Sequence, residues 1–222
     1  MNFNEQLLEA SAEARAEFLA IPFLREGARG ALGLPSYLAF LAEAYHHVKE
    51  TTPLLMAAGL RCEAPWLRKA LAHYIIEEVG HEEWILADIA AAGGDAAAVR
   101  DGQPRPATDI MVAYAYDTVL RRNPVGLFGM VLVLEGTSVA LALSAADAIQ
   151  QSLGLPDAAF SYLRSHGTLD QEHMGHFANV INQLDQPTDQ AAVIHCARMF
   201  YRLYGDIFRS LPMVAPGRET AA

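Results

Sequence analysis

The stretch VGLFGMVLVLEGTSVALALSAA, residues Val125 to Ala146, decides the fold. It is long and apolar enough to raise the question of a membrane, since about 20 apolar residues span a bilayer. Glu135 sits near its middle, however, where a carboxylate in lipid costs several kcal/mol, and no other segment supports a membrane topology. The stretch therefore reads as the central buried helix of a bundle, and no membrane partner is expected.

Outward from that helix, apolar residues recur at three- and four-residue intervals, and alternating runs of Val, Ile, Thr and aromatics are missing. The chain is expected to be all-α. Pro and Gly divide it: a first helix to about Leu19, a turn around Gly27 to Pro35, and helices from Ser36 to Ala58 and from Pro65 to Ala92. A long loop, 93–107, follows, and Thr108 is placed to cap a helix to Arg122. Asn123-Pro124 restarts the chain into the buried helix, which ends near Leu153; further helices run from Asp157 to Leu184 and from Pro187 to Leu211. The tail 212–222 is expected to be loose. With no repeat and no long linker, residues 1–222 read as a single helical domain.

Composition narrows the partners. The 222 residues are 52% apolar, enough for a sizeable core, and 16 Lys and Arg stand against 26 Asp and Glu. The resulting charge of -10 argues against nucleic acid. Two separated cysteines, Cys62 and Cys196, exclude a Cys-rich zinc site and suit a reducing compartment. The N-terminal stretch lacks a basic region followed by an apolar one, so it does not read as a signal peptide, and a cytoplasmic protein is expected.

Three helices then offer one chemistry. His166, Asp170 and His173 stand at i, i+4 and i+7, within about 60° on one helix face. Two imidazoles and a carboxylate so arranged are a metal-ligand set suited to iron, manganese or zinc, although Asp170 alone would read as part of a solvated stripe. On the helix from Pro65, Glu78 and His81 form an E-x-x-H pair, and Tyr74 extends the same face. His73, Glu77 and His81 make a competing face, which leaves Glu77 or Glu78 as the carboxylate. Glu135 is the only ionisable residue between Arg122 and Asp147; buried, it must be protonated, hydrogen-bonded to Thr137 or Ser138, or bound to a cation. Glu78, His81, Glu135, His166, Asp170 and His173 are too many ligands for one catalytic ion that keeps a place for substrate, and they suit two. Oxygen and imidazole donors favour non-haem iron, with manganese the alternative.

Other residues carry weaker signals. On the helix holding His46 and His47, one of the two must face outward, and either is a candidate substrate contact. His176, one turn beyond His173, is a candidate outer hydrogen-bond partner, and His73 a reserve ligand. His195, Cys196, Trp66 and Trp84 read as core. The stripe Phe200, Tyr201, Tyr204 and Phe208 reads as packing that could also wall a pocket.

Tyr45-His46-His47-Val48, Glu77-Glu78-Val79-Gly80-His81-Glu82, the isolated Glu135 and the H-x-x-x-D-x-x-H at His166, Asp170 and His173 together resemble the haem-oxygenase-like diiron oxidase/oxygenase superfamily. This group of iron-containing redox enzymes is related to the thiaminase-like TenA proteins and the pyrroloquinoline quinone synthase PqqC. The resemblance covers most of the chain and implies a seven-helix bundle, two reversibly bound iron ions and O2-dependent oxidation of a small, partly apolar substrate. A homodimer follows by analogy only. Some members carry a carboxylate where this chain has Tyr74, so Glu78 must serve. The para-aminobenzoate branch has a tyrosine where this chain has Leu134, and TenA-type chemistry needs a cysteine on the helix of Glu135, which has none. The first helix holds no histidine, so haem is not expected. The alternatives are a cofactorless PqqC-like oxidase and a ferritin-like metal-binding protein without an organic substrate.

Overall fold

Three- and four-residue periodicity becomes helix throughout, and no strand occurs among the described residues. The computed structural model describes residues 1–217, with the backbone but not the side chains of 168–172. In chain order the helices are α1 (Phe3–Ala10), α2 (Ala12–Leu19), α3 (Pro22–Ala28), α4 (Leu34–Val48), α5 (Thr51–Arg61) and α6 (Pro65–Glu78). There follow α7 (His81–Ala91), α8 (Ala96–Asp101), α9 (Pro106–Arg121), α10 (Leu127–Leu153), α11 (Ser161–Ile181) and α12 (Pro187–Ser210). Proline opens α3, α4, α6, α9 and α12, where its missing N–H costs nothing.

Several expected rods are broken. The helix expected over Ser36 to Ala58 is two, α4 and α5, and the one expected from Pro65 to Ala92 stops at Glu78 and restarts at His81. Gly80 makes that second break with φ of 90°, which a side chain at that position would strain. Periodicity could not reveal it, because Val79 at the break is exposed and contributes nothing to the buried pattern. The stretch 93–107 is not all loop: Asp95 accepts a hydrogen bond from the Ala98 N–H and starts α8. Thr108 lies inside α9 rather than capping it. Nor is the segment after Pro212 loose as far as Val214, whose carbonyl accepts from the Gly33 N–H at 2.7 Å and whose own N–H donates to the Ser36 hydroxyl.

The helices enclose two apolar cores. One gathers Leu67, Leu71 and Tyr74 of α6, Leu127 to Val133 of α10, Phe177 to Ile181 of α11 and the aromatic stripe of α12. The other gathers Leu41 and Ala44 of α4, Ile85 to Ile89 of α7, Ala142 to Ile149 of α10 and Phe160 to Leu163. α10 runs through both, packed against α11 and α12, so the stretch apolar enough to span a bilayer is covered by protein over much of its length. Gly167 lets α11 close on α10, because a Cβ there would lie 2.7 Å from Cγ of Leu143.

Two buried carboxylates fasten helix starts from a distance. Asp88 of α7 accepts from the Ser161 and Tyr162 N–H groups, at 3.0 and 2.9 Å, and from the Ser161 hydroxyl, capping α11 in trans. Burial raises its carboxyl above the usual range even though these three donors pull the other way. Glu43 of α4 similarly accepts from the Arg105 N–H and the Thr108 hydroxyl at the start of α9. Asp88→Ala leaves two buried N–H groups without an acceptor and should cost about 2–3 kcal/mol, read as a fall of roughly 5–10 °C in Tm.

Candidate metal centre

The break at Gly80 brings the polar residues together. Glu78 ends α6 in one core and His81 opens α7 in the other, so the E-x-x-H pair is not carried on one continuous helix. The turn nonetheless sets His81 Nδ1 at 3.4 Å from Glu78 Oε2. Glu135 stands a third of the way along α10, between its two apolar ends, and is 8% exposed. His166 and His173 lie on the stretch of α11 that crosses from one core to the other.

Two clusters result, each with its donor atoms within 4.8 Å of one another: Glu78, His81 and His166 in one, Glu78, Glu135 and His173 in the other. Glu78 belongs to both. Seven residues separate His166 from His173, about 10 Å along the helix axis, which is why residues sharing one helix face are divided between two clusters. Asp170, between them, lies outside the described residues. Of the six expected ligands, the other five are thus brought together around Glu78.

Proton positions follow from the partners. His166 Nδ1 is 3.1 Å from the Tyr162 carbonyl, which can only accept, so Nδ1 carries the hydrogen and Nε2 presents its lone pair. That Nε2 lies 3.2 Å from His81 Nδ1, so the two ring nitrogens converge beside Glu78. Burial by itself would raise the Glu78 carboxyl, but His81, His166 and His173 together bring it below the ordinary carboxylate value. Glu78 is held as an anion facing three imidazoles. Buried carboxylate oxygen and imidazole nitrogen in two adjoining sets are the donors that non-haem iron or manganese takes, so the residues fit such ions.

The remaining expected residues lie around these clusters. Glu77 joins neither: its Oε1 is 3.2 Å from His73 Nε2 and its Oε2 is 3.4 Å from His173 Nε2. Tyr74 is fully buried, its ring 6.5 Å from that of His173 and 5.5 Å from that of His176. His46 and His47 are both buried, so neither faces outward; the break after Val48 tucks that end of α4 inside. His195, expected in the core, is exposed, whereas Cys196 is buried beside Tyr114. Trp84, read only as core, stacks on His81 with ring centres 4.0 Å apart and meets His166 edge-on. Its place three residues after His81, one helical turn on, was the available signal.

Beside both clusters runs a cavity of about 150 Å³, walled by Glu78, Glu135, His166, Tyr162, Tyr204 and apolar side chains. Its walls include α10 residues from Leu127 to Ile149, so it follows about 30 Å of that helix as a narrow slot. His47 also lines it, its ring edge-on to Tyr204 and its buried Nδ1 without a hydrogen-bond partner. Burial, then His166 and His46, pushes this imidazole down to about 3. An unfolded histidine takes up a proton near pH 6.5, so acidification from there towards the lowered folded value favours unfolding. His47→Leu should therefore lose about 2–3 kcal/mol less stability than the native chain between pH 6.5 and 4.5, measured by denaturant unfolding.

Comparison with known proteins places these features. The family described as "Iron-containing redox enzyme" matches residues 38–205. A domain of unknown function with a haem oxygenase-like fold from Shewanella denitrificans superposes with a TM-score of 0.84 at 23% identity, covering 94% of this chain and 91% of that one. A TenA homologue from Pseudomonas syringae gives 0.78 at 13% identity over 93% of this chain and 91% of that one. Haem oxygenase-1 from the cyanobacterium Synechocystis, solved with haem, gives 0.76 at 12% identity over 94% and 91%. The fold is therefore the all-α haem oxygenase-like bundle that the sequence led us to expect. No curated protein matches the chain.

Proposed function

The chain belongs to the iron-containing redox enzyme family, and we propose that it is a non-haem diiron oxidase or oxygenase that uses Fe(II) and O2 to oxidise a slender, partly apolar organic substrate. The observation that carries this reading is the sharing of Glu78 between two ligand clusters on the wall of an apolar cavity. Glu78, His81 and His166 would hold one ion, Glu78, Glu135 and His173 the other, with Asp170 the further candidate. Bound there, two ferrous ions supply electrons to O2 and hence the oxidising power of the reaction.

The chain's own residues do the rest. The Tyr162 carbonyl fixes the His166 tautomer, and the Trp84 ring holds the plane of His81. Met130, Leu134, Leu141 and Phe208 exclude water from the slot beside Glu78 and Glu135. Tyr162, Tyr204 and His47 offer the polar contacts that orient a substrate otherwise gripped by apolar surface. A haem is not part of the proposal, because the first two helices, α1 and α2, hold no histidine to ligate one.

Anaerobic Fe(II) titration should retain about two ions per chain, and His166→Ala or His173→Ala should each lose at least one while keeping helical content near native. Unchanged stoichiometry in both variants would sink the site. Organic turnover by the iron-loaded chain separates this reading from a ferritin-like metal protein, and turnover without metal would point instead to a cofactorless oxidase.

A further inference from the structure

A second row of polar side chains stands behind His173. Its Nδ1 edge faces Glu135, with Oε1 at 3.9 Å, and its opposite edge, Nε2, lies 3.4 Å from Oε2 of Glu77. The other oxygen of Glu77 lies 3.2 Å from His73 Nε2, one turn back on α6. His73 is half exposed, but Glu77 Oε2 is sealed from solvent and has no formed hydrogen bond, His173 Nε2 at 3.4 Å being the ion-pair neighbour it faces. The ring of His176, one turn beyond His173, packs edge-on against His73 with centres 4.5 Å apart. Between α6 and α11, beside these ring contacts, a carboxylate thus lies between two imidazoles.

We propose that Glu77 is the positioning residue for His173, accepting its Nε2 hydrogen and so directing the Nδ1 lone pair at the cluster of Glu78 and Glu135, with His73 holding Glu77 in place. A carboxylate can only accept, and a neutral imidazole carries one N–H, so a hydrogen on Nε2 leaves Nδ1 as the ligating atom. The reasoning matches that for His166 with a different outer partner: a backbone carbonyl behind His166, a charged carboxylate behind His173. Charge-assisted acceptors are the stronger kind and make the imidazole more electron-rich. The doublet Glu77-Glu78 acquires a division of labour, since successive helical residues point about 100° apart: Glu78 turns to the clusters, Glu77 to the flank of α11. A plain surface pair between His73 and Glu77 at i, i+4 would account for one oxygen of Glu77 and leave the buried one, at His173, without a role.

This inference rests on the metal-centre reading, and the test separates the two. Co(II) is titrated into the metal-free full chain and followed by calorimetry and by the visible cobalt spectrum, for native, Glu77→Gln, Glu77→Ala and His73→Phe proteins. The native chain should take two ions. Glu77→Ala should weaken one of them by about 10- to 100-fold and change its spectrum while sparing the other. Glu77→Gln keeps a carbonyl acceptor without the charge and should fall between, with His73→Phe closer to native. The metal-free variants should melt within a few degrees of the native chain. Equal affinities in the native chain and both Glu77 variants would overturn the role of Glu77 alone. A native chain that takes up no cobalt would overturn the metal centre and this inference with it. Should Glu77→Ala fail to fold, the Gln comparison decides by itself.

Discussion

The structure turns on one buried anion. Glu78 is nearly shut off from water and faces His81, His166 and His173, whose combined pull keeps it ionised against the cost of burial. A carboxylate cannot sit in either apolar core, and it does not. It stands at the seam between them, where α6 ends and α7 begins. α10 and α11 cross the same seam: each is apolar at both ends and polar where Glu135, His166 and His173 lie. The two cores hold these helices, and the seam collects whatever neither core can accept.

Three buried carboxylates and the nearly buried Glu78 show how partner chemistry separates scaffold from site. Asp88 and Glu43 are as well buried as Glu135, yet their partners are N–H and hydroxyl groups at the starts of α11 and α9. Such a set is complete within the protein: the carboxylate fixes a helix end and has no use for an ion. Glu78 and Glu135 face imidazoles, which both donate and ligate, so the same atoms can turn to a cation. Asp88 still bears on the site, because the helix whose start it caps carries His166 and His173.

This distinction marks what the sequence could disclose. Period and punctuation revealed an all-helical chain, and the isolation of Glu135 in an apolar run marked it for a special role, because an uncompensated charge there is too costly to be incidental. Helical spacing grouped His166 with His173 on one face, yet could not say that two separate clusters divide them. The break at Gly80 escaped notice because Glu-x-x-His reads as one turn of helix whether or not the helix continues. Nor could the choice between Glu77 and Glu78 come from α6 alone. It depends on what α11 presents to each, and that is a property of packing. Burial of His46 together with His47 was hidden for the same reason: an amphipathic helix was assumed to run on, and it stops at Val48.

The fold by itself leaves the chemistry open, since the same bundle serves proteins as different as a TenA homologue and a haem oxygenase that holds its haem. For this chain, the lining of the central slot bears on the question. In this chain no Lys or Arg occurs among the described lining residues, so the wall itself has no fixed cation for an anionic group. Its ionisable side chains are Glu78, Glu135, His166 and His47 together with tyrosines, while the rest is aliphatic and aromatic apart from the hydroxyls of Thr51, Thr137 and Ser138. On the proposed function, a long molecule entering this slot would gain apolar contact along its length and meet charged or imidazole partners only at those ionisable groups. On that proposal, its polar end would be drawn to the seam where the ligand clusters lie, and the shape of the slot would bring the reacting carbon there. On the proposed function, the arrangement that keeps charge out of the two cores would also set where a substrate presents its functional group.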